Sequence, residues 1–403
     1  MDAANAFNPF DRSWWADPYP TYRFLLEQAP AGRLNGLPLC YVARHADCEA
    51  ALRHPRLGCD DRASVVYQSL AAAGSPPEEV APRSLLRLDP PDHTRLRSLV
   101  SRAFTARAVA ELSALIASSV EELVGSLGEG PFDAVAALGY PLPVRVISEL
   151  LGVPGEERGR LSQLSRQLAG ALDPELTVSA GERERRRGAI RELRAMVAAL
   201  IDPHRPGPAG SLVGELVAAT RDGAEPAKAG EGEIVSLLVL LLVAGYETTA
   251  NLIGNCLLAL ARRPELGAGI AGDRARIASF VEEVLRLDPP VQLTSRIAND
   301  DVRIGELSVP CGHFLLVLLA AANRDPDRFE RPEELDLGRG QGRHLSFSAG
   351  VHHCLGALLA RAEALAVVES VLERWPRLEL VDAPRYRETL VLRGLDGLVL
   401  APA

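Results

Sequence analysis

A mainly α-helical fold with a minor β component, arranged around one long central helix, is predicted by three features of this sequence. No proline interrupts the stretch from Glu231 to Arg262. A helix of that length reaches on the order of 45 Å, enough to cross the whole molecule. Between 106 and 202 apolar residues recur at helical spacing, with Val109, Leu112, Ile116, Val120 and Leu123 on one face and Ile190 to Ile201 forming another. The segments with strand character are short: Leu39–Val42, Val302–Ile304, Phe314–Leu319 and Leu390–Leu400. The 403 residues contain no linker long enough to divide them, so residues 1–403 read as one domain.

Taken in order, the chain opens on Trp14 and Trp15, then a short helix through Leu25 and Leu26. A strand at Leu39–Val42 and a helix around Asp47–Leu52 follow. Residues 60–85 carry Gly74, Pro76, Pro77 and Pro82 and read as a long irregular loop. Pro90 and Pro91 suit a helix start, after which Leu96, Leu99, Val100 and Ala103 share an apolar face. His93 and Arg97, four apart, project from one side of that helix. Pro203 to Gly210 reads as a loop. Within the long central helix, Gly245 and the β-branched pair Thr248–Thr249 contradict helix propensity. The Thr248 hydroxyl is placed to bond back to the Ala244 carbonyl, four residues earlier.

Composition excludes several functions. A net charge of −9 argues against a nucleic-acid partner. The six cysteines (40, 48, 59, 256, 311 and 354) form no C-x-x-C pair. Residues 1–20 lack the basic and apolar regions of a secretory signal, so a reduced, cytoplasmic setting is expected. The longest apolar run, Ile234 to Ala244, is too short for a membrane span, so no membrane association is expected.

Chemistry concentrates in Phe347-Ser-Ala-Gly350-Val-His352-His-Cys354-Leu-Gly356. Leu355, Leu358, Leu359, Ala362, Leu365 and Ala366 mark a helix directly after it, which places Cys354 near a helix N-terminus. Unpaired N–H groups and the positive end of the dipole there favour thiolate, the form that ligates metal. Gly350 lets the loop take φ > 0, and Gly356 clears space for something flat. A lone cysteine is ordinarily a small buried hydrophobe. The full F-x-x-G-x-H-x-C-x-G pattern overrides that reading.

This loop resembles the haem-binding loop of the cytochromes P-450, and the resemblance runs from Pro18 to the C-terminal strands. It implies that fold, haem b (iron protoporphyrin IX) as cofactor and Cys354 as the axial iron ligand. One departure is Ser348, where the family usually has glycine. The resemblance further implies that His93, Arg97, Arg296 and His344 bind the haem propionates. Ala244-Gly245-Tyr246-Glu247-Thr248-Thr249 matches the family's oxygen-activation motif residue for residue. Ala244 and Gly245 would leave room beside the iron, while Glu247 and Thr248 would route protons there. Glu283 and Arg286 form the family's E-x-x-R pair. The third arginine that often joins it is missing from its usual segment, here Pro332-Glu333-Glu334-Leu335.

In function, the resemblance implies a monooxygenase. It uses O2 and takes electrons from a separate ferredoxin and ferredoxin reductase, since no flavin or ferredoxin domain is visible. A haem-thiolate peroxygenase, an oxidative coupling enzyme and a non-enzymatic haem sensor are the alternatives. The residues expected to face substrate include Leu240, Val243, Val291, Leu293 and Leu395, with the 60–87 and 160–210 regions. They suggest a mid-sized hydrophobic compound such as a secondary metabolite, bound by a monomeric enzyme.

Overall fold

A computed structural model describes residues 7–74, 84–168, 172–173, 179–201, 211–214, 216, 229–339 and 344–403. Among the described residues, the helices of eight or more residues are α1 (Tyr19–Gln28), α2 (His45–Arg53), α3 (Val65–Ala72), α4 (Asp92–Val100), α5 (Ser113–Gly125) and α6 (Pro141–Leu151). They continue with α7 (Gly155–Gln167), α8 (Ala180–Leu200), α9 (Glu231–Ala261), α10 (Arg274–Leu287) and α11 (Ala357–Arg374). The expected loop at 203–210 and part of that at 60–85 lie outside the described residues. The rest of the latter folds in part, because Ser64 accepts the Tyr67 N–H and so caps α3.

Helix α9 forms the axis of the molecule. It runs unbroken for 31 residues and packs against α6, α8, α10 and α11. From Tyr246 to Ala261 nearly every residue is buried, so its long apolar sequence is explained by the core. By length and composition alone α9 would also pass for a membrane span. Its start is held by the Glu233 carboxylate, which accepts the Gly230 N–H and pairs with Arg95 at 2.6 Å. The latter contact fixes α4 to α9.

The main sheet joins β1 (Ala31–Arg33), β2 (Leu39–Val42), β3 (Leu57–Gly58), β4 (Thr294–Ala298) and β5 (Phe314–Val317) in the order β1-β2-β5-β4-β3. Strands β2 and β5 are parallel, and the other pairs are antiparallel. The expected strand Phe314–Leu319 ends at Val317, because the alanine run that follows turns helical at Leu319–Ala322. Residues 390–400 likewise do not form one strand. Glycines 394 and 397 interrupt them, leaving β7 (Leu395–Gly397), which pairs with β6 (Arg385–Tyr386), and the short strand Val399–Pro402.

The E-x-x-R pair is buried and extensively bonded. Both Arg286 and Glu283 are almost inaccessible, and they meet in a bidentate contact at 2.8 and 2.9 Å. Arg286 also donates to the carbonyls of Asn323, Pro332 and Glu334. The third arginine is present after all: Arg339 Nε lies 3.3 Å from Glu283. The segment after Pro332 delivers it from a few residues further on than the family's usual position. Because a buried pair that loses one partner strands a charge, Arg286→Met is expected to cost about 3–5 kcal/mol. Urea unfolding of the variant would measure it.

Candidate active site

The loop carrying Cys354 is held from below by this buried network. Asn323, whose carbonyl accepts from Arg286, offers its side-chain oxygen to the Leu345 N–H at 2.7 Å and its amide to Ser346 Oγ at 2.8 Å. Ser346 Oγ in turn donates to the Leu285 carbonyl. The Cys354 N–H closes the loop on the Phe347 carbonyl at 2.8 Å. Gly350 has φ +71°, and a Cβ there would sit 2.5 Å from the Leu52 carbonyl oxygen, so only glycine fits. Ser348 also takes a left-handed conformation, φ +61°, and its hydroxyl is buried without a partner. Its backbone thus does what glycine does in the family pattern, under strain. Ser348→Gly is expected to raise stability by about 1 kcal/mol, read from thermal unfolding, since relieved strain outweighs added chain entropy.

Cys354 is accessible to solvent yet densely surrounded by protein, as a residue lining a concavity is. Burial and the helix end act on the Cys354 thiol in opposite directions. Helix α11 begins three residues later, at Ala357, and burial pushes the thiol up. The Gly356 N–H and the Arg97 and Arg361 guanidiniums pull the other way. Nothing lies within 4 Å of where a Cβ on Gly356 would point.

Around Cys354 gathers a set of polar groups lacking partners. His93 and His352 face each other with ring centroids 4.2 Å apart; His93 is buried and His352 half-buried, with its Nε2 shielded from solvent. Both His93 nitrogens, His352 Nε2 and one terminal nitrogen of Arg296 make no hydrogen bond. Arg97 donates to the His353 carbonyl at 2.7 Å, which ties α4 to the loop. Burial first, then His93, Arg296 and Arg97, push the His352 imidazole down to about 3. Leaving several buried donors unsatisfied is costly, so the cluster is built for an anion. Two carboxylates of a bound group fit that donor set. Cys59, Asp89 and His352 also converge within 4.8 Å, but the Asp89 carboxylate already accepts the Cys59 and Asp60 N–H groups.

His344 does not join this cluster. Its Nε2 meets Glu282 at 3.2 Å, and its Nδ1 accepts the Ser346 N–H. Arg361 reaches the same Glu282 carboxylate, at 3.0 Å, and stacks over the Phe347 ring. Against burial, which pushes it up, His344 and Arg361 hold the Glu282 carboxyl at about 2. His344 therefore braces the loop and has no nitrogen left to spare.

On α9 the Thr248 hydroxyl donates to the Ala244 carbonyl at 2.6 Å, as its position suggested. Ala244, Gly245 and Thr248 are half-buried, whereas Tyr246 and Glu247 are buried. Glu247 points elsewhere: one oxygen contacts Arg387 from beyond β6, and the other has no partner. The Asn251 amide, one turn along, faces that oxygen without a well-formed bond. Burial, reinforced by Asp396, pushes the Glu247 carboxyl up to about 8 against Arg166 and the Asn251 amide, and the Arg387 contact also favours the ionised form. Nothing in the sequence near Glu247 signals Arg387, which comes from 140 residues away. Of the expected substrate-facing residues, Leu240, Val243 and Val291 are half-buried. Leu293 and Leu395 are buried and belong to two of the packed core clusters.

Known proteins resemble this chain over nearly its whole length. A vitamin D(3) 25-hydroxylase of Pseudonocardia autotrophica is 35% identical over 397 residues, covering 96% of this chain and 94% of its own. The chain belongs to the cytochrome P450 family. The family model named Cytochrome P450 matches residues 277–393, from α10 to the C-terminal hairpin. The polyketide biosynthesis cytochrome P450 PksS of Bacillus subtilis is 34% identical, with 97% of each chain covered. Ligand-free CYP164A2 of Mycobacterium smegmatis superposes with a TM-score of 0.89 at 41% identity, covering 98% of each chain. The protein is thus a P450 monooxygenase with haem as its cofactor, and it uses O2 and a redox partner.

Proposed function

We propose that this P450 oxidises a mid-sized hydrophobic small molecule of secondary metabolism, with electrons from a ferredoxin and its reductase, as a cytoplasmic monomer. The observation carrying the site assignment is the set of buried, unpartnered donors beside an accessible cysteine. Cys354 would hold the iron, and His93, Arg97, Arg296 and His352 the propionates. Phe347, Gly350 and Gly356 shape the loop, while Ala244 and Gly245 keep the facing surface of α9 low. When bound, the haem supplies O2 activation and the oxidant for C–H bonds. The chain's own residues bind and orient substrate, exclude water and move protons. Thr248 donates its one hydroxyl proton to Ala244, which leaves its lone pairs free to accept from a proton-carrying water. PksS supports a metabolite substrate, since its name places it in polyketide biosynthesis. Half-buried aliphatic residues on α9 support an apolar one.

Two measurements test this reading. NADPH-driven turnover of a panel of polyketide and terpenoid substrates should require both ferredoxin and reductase. Product formed equally well with peroxide and no donor would instead establish a peroxygenase. The propionate assignment predicts that Arg97→Ala and Arg296→Ala loosen haem, as each removes a charge-assisted bond worth roughly 1.5–3 kcal/mol. Haem transfer to apomyoglobin at the wild-type rate in both variants would refute it.

A further inference from the structure

A cavity of about 430 Å³, within the range of small-molecule sites, opens where the C-terminal half of α9 meets the end of α10, the start of α1 and the C-terminal hairpin. No residue of the Cys354 loop lines it. Aliphatic side chains such as Leu258 and Leu287 form its floor.

Several polar groups there are already committed. Arg393 pairs with Asp288 at 2.8 Å and donates to the Ala16 carbonyl, and Arg324 donates to the Leu287 carbonyl and contacts Glu333. Others are not. Asn255 is 2% exposed; its amide donates to the Asp288 carbonyl at 2.8 Å, but its Oδ1 accepts nothing. The Tyr386 hydroxyl faces Arg262 yet makes no well-formed hydrogen bond. Arg262 and Arg263 line the cavity, are exposed, and form no ion pair among the described residues. Of the lining acids, Asp288 and Glu333 are already paired, which leaves Asp17 as the one acid without an ion pair among the described residues, against these two cations.

We propose that this cavity is a second binding site, separate from the haem pocket, for a small organic acid that bears an N–H or O–H donor. Its carboxylate would lie between Arg262 and Arg263 and within reach of the Tyr386 hydroxyl. Its apolar body covers the leucine floor, and its donor satisfies Asn255 Oδ1. Water would satisfy Asn255 but would not offset the charge of the two arginines at the cavity's edge.

N-acetylphenylalanine carries all three features and serves as the probe. Calorimetric titration into the haem-loaded protein should show saturable one-to-one binding with no change in the haem absorption spectrum. Its primary amide, lacking the charge, and the double variant Arg262→Ala/Arg263→Ala should each weaken binding by about ten-fold or more. Both arginines are exposed, so the variant keeps its fold, which an unaltered haem spectrum verifies. Absence of saturable heat would mean a water-filled cavity. Equal affinity for the amide or in the variant would overturn the site, as would a shifted haem spectrum, which would put the probe in the haem pocket.

Discussion

Cys354→Ser is expected to abolish the strongly red-shifted absorption band that a thiolate ligand gives the reduced, CO-bound haem. A hydroxyl is a far poorer iron ligand than a thiolate, so haem should be lost or bound without that band. The fold itself should survive. The loop is held by Asn323, Ser346 and the Cys354 backbone N–H, none of which needs the sulfur. Serine at each of the other five cysteines should leave the band in place. Four of those, Cys40, Cys48, Cys59 and Cys256, are buried and behave as small apolar residues, so their cost appears as stability. Cys311 is exposed and should tolerate the change. Retention of the red-shifted band in Cys354→Ser would remove the basis of the site assignment.

The parts of this site that were legible in the sequence are those fixed by local geometry. A four-residue helical step brings Thr248 to the Ala244 carbonyl, and the same step aligns His93 with Arg97. Gly350 was readable because positive φ beside a neighbouring backbone admits no side chain. What escaped was long-range partner choice. Arg339 reaches Glu283, Arg361 and His344 converge on Glu282, and Arg387 finds Glu247, each across dozens of residues. Long guanidinium side chains meet a carboxylate from many starting points, so sequence position constrains them weakly. His344 illustrates the hazard. It occupies a suitable position in the chain, but its two nitrogens are already bonded. At Cys354 the helix end was readable, and the Gly356 N–H does favour the ionised sulfur, but the burial that opposes it depends on distant packing. Glycines 394 and 397 did carry a readable signal against one continuous strand.

Thr248→Val is expected to uncouple the enzyme. Valine keeps the shape of threonine and loses only the hydroxyl, so binding of haem, substrate and CO should stay normal. If that hydroxyl holds a proton-carrying water, the variant still consumes reducing equivalents but releases them largely as hydrogen peroxide. The ratio of product formed to NADPH consumed measures this. Tight coupling in the variant would show that Thr248 only packs or that the substrate itself supplies the hydroxyl. Glu247→Gln should slow turnover without the same diversion, since positioned acid–base groups are typically worth about 10²–10⁴-fold. The pH dependence separates the two roles. Burial, reinforced by Asp396, pushes the Glu247 carboxyl up from its ordinary 4.5 toward about 8, so its proton is held to higher pH than an ordinary carboxyl's and is lost as pH rises. Proton-limited turnover in the wild type should therefore fall on the alkaline side, at or below about 8, because Arg387 favours the ionised form. Arg387→Met, which removes the opposing charge, should move that fall to higher pH. Glu247→Gln, which cannot titrate, should flatten it. A profile in Arg387→Met that moves to lower pH, or one in Glu247→Gln identical to wild type, would exclude Glu247 from proton delivery and leave Thr248 to be supplied by another route.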